Sequence, residues 1–269
     1  MHHSSYLMEN EEEILRQELK TDCDSVTRQA LWAGLEPGMR VADLGCGTGK
    51  TTFCLHKLIQ PGGTVVGVDL SGERIGFAEK QYGREGIEFC RRDIREPLDD
   101  LGRFDFVWLR FVLEYHRERS LDIVRNVSGM LRPGGILCLV DLDYNCLNHF
   151  GLSPRLERAI GGVLAALETH RDFDPYAGRK LYSFLYDLGY RDIDADVACH
   201  HLIFGELREK DAFNWMKKVE VAVRRSGYRY EEYPGGYEEF CAEFRTFFTD
   251  SRRFTYTPVI SCRGRKPAA

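Results

Sequence analysis

Val41-Ala42-Asp43-Leu44-Gly45-Cys46-Gly47-Thr48-Gly49 is the stretch whose reading decides the fold. A short apolar run suited to a buried strand ends at Leu44, three glycines follow at alternate positions, and a helical pattern opens near Lys50. Glycine tolerates positive φ and lets a ligand approach the backbone, and the amides at the start of a helix are free to hold something polar. A glycine turn of this kind also serves merely to pack a helix on a sheet, so its meaning depends on what surrounds it.

Outward from this turn, short apolar runs alternate with helix-length segments. Val41–Leu44, Thr64–Val68, Ile87–Cys90, Phe104–Leu109 and Ile136–Val140 read as strands, with Pro61-Gly62-Gly63 and Pro133-Gly134-Gly135 as sharp turns immediately before two of them. That alternation predicts a parallel sheet covered on both faces through right-handed crossovers, an α/β doubly wound, Rossmann-like framework. From about Met8 to Leu35 two helices are expected. Ile14, Leu15 and Leu19 would form the buried face of the first, and Asp24 or Ser25 would cap the second. Beyond Asp143, helices are expected at about 154–170 and 176–188, extended runs at Ile193–Phe204 and Phe254–Cys262, and mostly helix from Glu206 to Asp250.

Two acids extend the reading of the glycine turn. Asp69 closes the second strand, where a carboxylate can take both hydroxyls of a ribose, although it can also cap the helix starting near Ser71. Asp93 closes the third strand and can accept from an adenine amino group, with Ile94 against the ring. Three strand ends thus point at one crevice, the place where open α/β sheets bind ligands, and the ligand would contain a nucleoside. A nicotinamide dinucleotide would require Gly-x-Gly-x-x-Gly. The spacing here is Gly45-x-Gly47-x-Gly49, and Lys50 stands where the third glycine belongs.

The run Asp43 to Gly49, with Asp69 and Asp93 at these spacings, resembles class I S-adenosylmethionine-dependent methyltransferases. The resemblance continues through Phe104-Asp105-Phe106-Val107 and Leu131-Arg132-Pro133-Gly134-Gly135, covering about residues 35–143. It implies a seven-stranded sheet, mostly parallel with the last strand antiparallel beside the fifth. S-adenosyl-L-methionine would be the cofactor. Gly45 and Gly47, with Cys46 between them, would pass under its methionine part and Asp43 would help place the ammonium group. Asp69 would hold the ribose, Leu70 would pack on the adenine, and Asp93 with Ile94 would read the adenine edge. Leu109 and Arg110 would meet the methionyl end through the backbone, and by position Tyr6 and Arg28 would touch the donor's carboxylate.

Trp108-Leu109-Arg110-Phe111 stands where enzymes acting on exocyclic amines of bases, or on glutamine, carry Asn/Asp-Pro-Pro-Tyr. By resemblance this favours the small-molecule branch, similar to quinone-biosynthesis methyltransferases. His116 is the candidate general base, against a helix-start histidine satisfied by solvent or backbone. Asp141 and Asp143 flank Leu142, so alternation sends both to one side, where they would orient a polar or cationic acceptor. Lacking an evident third ligand, this pair is not assigned a metal. The aromatic residues between Phe213 and Phe248 would either close an acceptor pocket or form ordinary core.

The resulting organisation is an N-terminal helical cap over residues 1–35, a sheet domain over 36–205 and 251–266, and a helical insertion over 206–250. Cap and insertion are expected to act as a lid. A formal net charge of −5 supplies no basic excess for a phosphate backbone and weighs against a nucleic-acid partner. No apolar run approaches the roughly 18 residues that span a bilayer, and nine scattered cysteines suggest reduced thiols, so a cytoplasmic protein is expected. The expected activity is methyl transfer to a small-molecule acceptor by in-line displacement. The alternatives are a non-catalytic cofactor-binding sensor or scaffold, and a methyltransferase acting on protein or RNA.

Overall fold

A computed structural model describes residues 13–267. Its first five strands are β1 (Arg40–Leu44), β2 (Thr64–Asp69), β3 (Ile87–Arg91), β4 (Phe104–Arg110) and β5 (Leu131–Leu142). They pair in parallel in the order β3-β2-β1-β4-β5. Most of their residues are buried, because helices cover both faces and both side-chain rows must then be apolar. Beside β5 lies β8 (Phe254–Arg265), antiparallel, and β7 (Arg191–Phe204) pairs antiparallel with its other edge. These are the two extended runs expected beyond residue 190. An eighth strand, β6 (His149–Phe150), adds two residues that pair with the start of β8.

On one face of the sheet Ala42, Val66, Val107 and Leu139 pack with Ile123, Val124 and Val127 of α5 (Ser120–Ser128) and Leu181 and Leu185 of α7 (Leu181–Asp187). On the other, Val41, Val65, Phe106 and Trp108 meet Val26 and Ala30 of α2 (Cys23–Ala33) and Leu55 of α3 (Lys50–Leu58). A separate core joins α6 (Pro154–His170), α8 (Glu209–Ser226) and α9 (Gly236–Thr249), in which Trp215, Tyr230, Phe240, Phe244 and Phe248 are buried. The aromatic density of the insertion is therefore packing, shared with α6. No described helix is long and apolar enough to cross a membrane.

Several local expectations are corrected. The glycines at 134 and 135 lie inside β5, where the register against β4 jumps from Leu131 opposite Phe104 to Ile136 opposite Phe106, so the chain bulges where a turn was expected. Helix α2 is capped by Asp22, which accepts from the Asp24 amide, in place of Asp24 or Ser25. Cys23 and Cys54 form a disulfide because α2 and α3 pack side by side, with the two Cα atoms 5.8 Å apart.

The largest difference is in α1 (Glu13–Lys20): Leu15 and Leu19 are exposed, whereas Glu13 and Arg16 are buried. This helix covers a polar cavity and therefore turns its polar face inward. Residues 8–12 of the expected helix, and Tyr6, lie outside the described residues.

Candidate active site

The chain turns sharply at the carboxyl end of β1. Gly45, Gly47 and Gly49 have φ of 75°, 55° and 85°, and the amides of Gly45 and Cys46 both donate to the Val68 carbonyl at the end of β2. A Cβ on Gly45 would lie 2.4 Å from Val112 Cγ2, and one on Gly47 would lie 2.3 Å from Gln17 Oε1. Positive φ favours glycine at both positions, and at Gly45 the approach of the branched Val112 side chain adds to it, whereas the Gln17 amide can move aside at Gly47. Gly49 starts α3 where a Cβ would meet Ala78 and Phe89, so the third glycine serves helix–sheet packing.

Asp69, at the end of β2, is buried, and its two oxygens are used unequally. Oδ1 accepts from the Ser71 amide and from Arg74 Nε and Nη2, whereas Oδ2 accepts from the Gly47 amide at 3.0 Å. A carboxylate oxygen has room for a second donor, so Oδ2 can still accept from a ligand hydroxyl. Ser71 is the cap of α4 (Gly72–Tyr82), accepting from the Arg74 amide. After β3, Asp93 takes a two-pronged ion pair from Arg95, which holds its carboxyl below the usual range. Ile94 lies beside it, largely buried.

These strand ends share one cavity. Its walls include Gly45, Cys46, Gly47, Asp69, Leu70, Asp93, Ile94 and, from the end of β4, Arg110 and Phe111. Helix α1 closes it with Arg16, Gln17 and Lys20 and is latched to the rim through Glu18. The Glu18 carboxylate accepts from Thr48 Oγ1 and Tyr82 OH, both at 2.5 Å, and its carbonyl accepts from Lys50 Nζ at 2.6 Å. Tyr115, His116 and Arg171 complete another side.

Not every expected residue reaches this cavity. Asp43 lies behind the glycine turn, where its carboxylate accepts from Thr52 Oγ1 at 2.6 Å. Burial pushes it up to about 7, opposed by that hydrogen bond and by Arg110. Burial in turn lowers Arg110 to about 10. The Leu109 side chain belongs to the sheet core. Arg28 sits on the exposed face of α2, its guanidinium near Ser25 Oγ, because neighbouring helical residues point about 100° apart and Gln29 takes the buried side.

His116 does line the cavity, and burial, with Arg95 nearby, lowers it to about 4. Asp141 and Asp143 do not line it. Asp141 is buried, accepts from the amides of Glu114 and Leu142, and is raised well above an ordinary carboxyl by burial and by Glu114. Asp143 is clamped by Arg179 Nε and Nη2 at 2.8 and 3.0 Å. Both stand apart from the cavity wall that Asp69 and Asp93 share, so the expected role in orienting an acceptor there is not met.

Sequence reasoning missed Arg16, Gln17 and Lys20. Their spacing with Glu13 is that of one helix face, and the same periodicity applied to polar residues would have marked it.

Residues 42–139 match the model of a methyltransferase domain family. Over 113 residues the chain is 30% identical to a demethylmenaquinone methyltransferase of Lactococcus lactis, a match covering 41% of this chain and 44% of that protein. The match thus spans less than half the length of this curated relative. A putative methyltransferase from Bacillus halodurans superposes with a TM-score of 0.57 at 18% identity, covering 91% of this chain and 100% of the other. A 4+2-cyclase superposes at 0.55 with 18% identity, over 92% of this chain and 82% of its own.

Residues 42–139 thus match a methyltransferase domain, and they lie within a Rossmann-like doubly wound sheet. Over this span its sequence likeness runs to demethylmenaquinone methyltransferases. The cyclase illustrates that this fold hosts other chemistry, so function has to be argued from the site.

Proposed function

We propose that this protein is an S-adenosylmethionine-dependent methyltransferase acting on a small-molecule acceptor. One observation carries the reading: the ends of β1, β2 and β3 bring Gly45–Gly47, Asp69 and Asp93–Ile94 onto the wall of a single cavity. The residues fit the cofactor. The floor is cleared of side chains at two glycines whose Cβ atoms would meet neighbours, and Asp69 keeps an oxygen with accepting capacity.

In this reading Gly45 and Gly47 underlie the methionine part, Asp69 Oδ2 holds a ribose hydroxyl, and Asp93 with Ile94 receives the adenine. The bound cofactor supplies an electrophilic methyl group on a sulfonium. The chain's own contribution is alignment and exclusion of water: α1 covers the glycine turn, and the short segment after β4 forms the opposite wall. His116 is uncharged at neutral pH because of its burial, so it accepts a hydrogen bond there and is a weak base. Positioning, more than proton abstraction, is the catalytic device that these residues provide. The relatives' names support a small acceptor, and Trp108-Leu109-Arg110-Phe111 lacks the residues expected for base amines.

Calorimetric titration of the full chain with S-adenosylmethionine and S-adenosylhomocysteine tests the donor half, with Asp69→Asn as the variant. Micromolar binding that weakens at least about tenfold in the variant is expected, since a hydrogen bond to a charged group contributes about 1.5–3 kcal/mol. Absence of binding to the wild type would overturn the reading. Transfer of a labelled methyl group to a mixture of small-molecule extracts, set beside transfer to protein or RNA, tests the acceptor half.

A further inference from the structure

We propose that the methyl acceptor is an organic acid, its anionic group held by Lys20 and Arg110 beside the Phe111 ring. This rests on the cavity being the methyl-transfer site and names the substrate class that it takes.

The charge on the walls is the first observation. The chain as a whole is acidic, at −5, yet the cavity is lined by seven arginine or lysine side chains against two aspartates. Four of those cations have carboxylate partners: Arg74 with Asp69, Arg95 with Asp93, Arg92 with Asp100, and Arg16 with Glu13. Among the described residues Lys20, Arg110 and Arg171 form no ion pair within 4 Å, although Glu114 faces Lys20 and Asp43 and Asp141 face Arg110 at longer range. Arg110 donates to the Gln29 amide oxygen and Arg171 to the Arg225 carbonyl, both neutral. A donor carrying one carboxylate, one ammonium and one sulfonium answers at most one of the three cations and brings two of its own. Positive charge without a close partner on the cavity wall favours an anion on the second substrate.

Geometry selects which cations meet it. Lys20 Nζ stands 4.6 Å from the centroid of the Phe111 ring and the Arg110 guanidinium 4.0 Å, so a helix on the lid and a strand of the sheet deliver two positive groups to one ring. Phe111 is held at a φ of 58°, a conformation that side chains rarely adopt and that places this ring immediately after β4. Beyond it the rings continue through His200, centroid 4.7 Å away, to His201 at a further 4.1 Å. Among the described residues His200 Nε2 and His201 Nδ1 are buried without a hydrogen-bond partner. His200 and His201 stand behind the cavity wall, and an aromatic acid suits the wall itself, its flat body lying against the Phe111 ring.

The surroundings of Lys20 agree. It is faced by Arg16 from its own helix, Arg110 from β4, Glu114 from the turn after β4, Lys218 from α8, and His200 and His201 from β7. Burial, then Arg16, Lys218 and Arg110, lower it to about 7, with Glu114 opposing. An anion docked against Lys20 restores the ammonium, so binding near neutral pH takes up protons from the buffer.

The test uses benzoate and benzamide, which differ in charge and little in shape, titrated into the full chain near pH 7 with and without saturating S-adenosylhomocysteine. Buffers of different ionisation heat report the protons taken up. The expected result is benzoate binding at least about tenfold tighter than benzamide, as one charge-assisted contact supplies, with net proton uptake. Lys20→Met should collapse the contrast to about twofold and abolish the uptake, whereas Lys20→Arg should keep the contrast without the uptake. Equal affinity for acid and amide, no binding of benzoate, or a contrast that survives both Lys20→Met and Arg110→Gln overturns the proposal. So does a loss of S-adenosylhomocysteine affinity in Lys20→Met as large as its loss for benzoate, which would make Lys20 a cofactor residue. Failure of S-adenosylhomocysteine to bind the wild type sinks the donor reading instead, while the contrast in cofactor-free protein still decides this one.

Discussion

Replacing Gly45 by alanine probes the cavity floor with a single methyl group. Two costs follow from the structure. The backbone at φ 75° is left-handed, which costs a non-glycine residue about 1–2 kcal/mol. The new Cβ would also lie 2.4 Å from Val112 Cγ2, and forcing apart packed groups costs about 1–3 kcal/mol more. Gly38→Ala is the matched control, since its φ is 82° but nothing lies within 4 Å of its Cβ, so only the backbone cost of about 1–2 kcal/mol applies. Urea unfolding of the two variants should therefore separate them by about 1–3 kcal/mol. Calorimetry with S-adenosylhomocysteine should show Gly45→Ala weakened by at least about tenfold, equivalent to 1.4 kcal/mol, with Gly38→Ala unchanged. If both variants unfold at the same midpoint, or bind the ligand equally well, the glycine turn is not a tightly fitted floor and the reasoning fails.

Other consequences can be checked directly. His116 and His149 are both lowered to about 4 by burial, so between that value and the unfolded value near 6.5 the unfolded chain binds more protons; stability should fall as pH drops from about 6.5 to 4. His149→Gln should flatten that slope in a series of urea unfolding curves, and an unchanged slope would count against it. Asp143→Asn, which loosens a clamp to the half-exposed Arg179, should cost about 1 kcal/mol of stability and leave S-adenosylhomocysteine binding unaltered. Phe244, 2% exposed and stacked on Phe240 and Phe248, should destabilise the protein by about 3–5 kcal/mol on truncation to alanine. Wild-type stability in that variant would return the aromatic cluster to consideration as a pocket.

The sheet was legible because buried parallel strands must be apolar on both rows, and runs such as Val41–Leu44 and Phe104–Leu109 have few other readings. The two acids that close β2 and β3 were legible for a similar reason, since a strand's end fixes where the next side chain stands. What failed was any inference that needed a distant partner. Alternation put Asp141 and Asp143 on the same side but was silent about Glu114 and Arg179, which occupy them. Helix α1 inverted the usual rule because it covers a charged cavity, so its leucines point outward. The aromatic residues of α8 and α9 had the same periodicity whether they lined a pocket or packed on α6, and only the shared core distinguishes the two.

Helix α1 brings together tasks that the proposed reaction would otherwise keep apart. Its Gln17 rests on the glycine turn and its Lys20 reaches toward Phe111, and a short helix is marginal in water without tertiary contacts. Its order therefore depends on what it touches, including the Glu18 latch to Thr48, Lys50 and Tyr82. A ligand seated under one end spends binding energy in fixing the helix, and a second ligand under the other end finds that cost already met. The two substrates would then communicate without any change in the sheet between them. The strength of that coupling is read from a closed cycle, in which S-adenosylhomocysteine should tighten benzoate by the same factor as benzoate tightens S-adenosylhomocysteine. A factor of one would mean that α1 is rigid before either arrives.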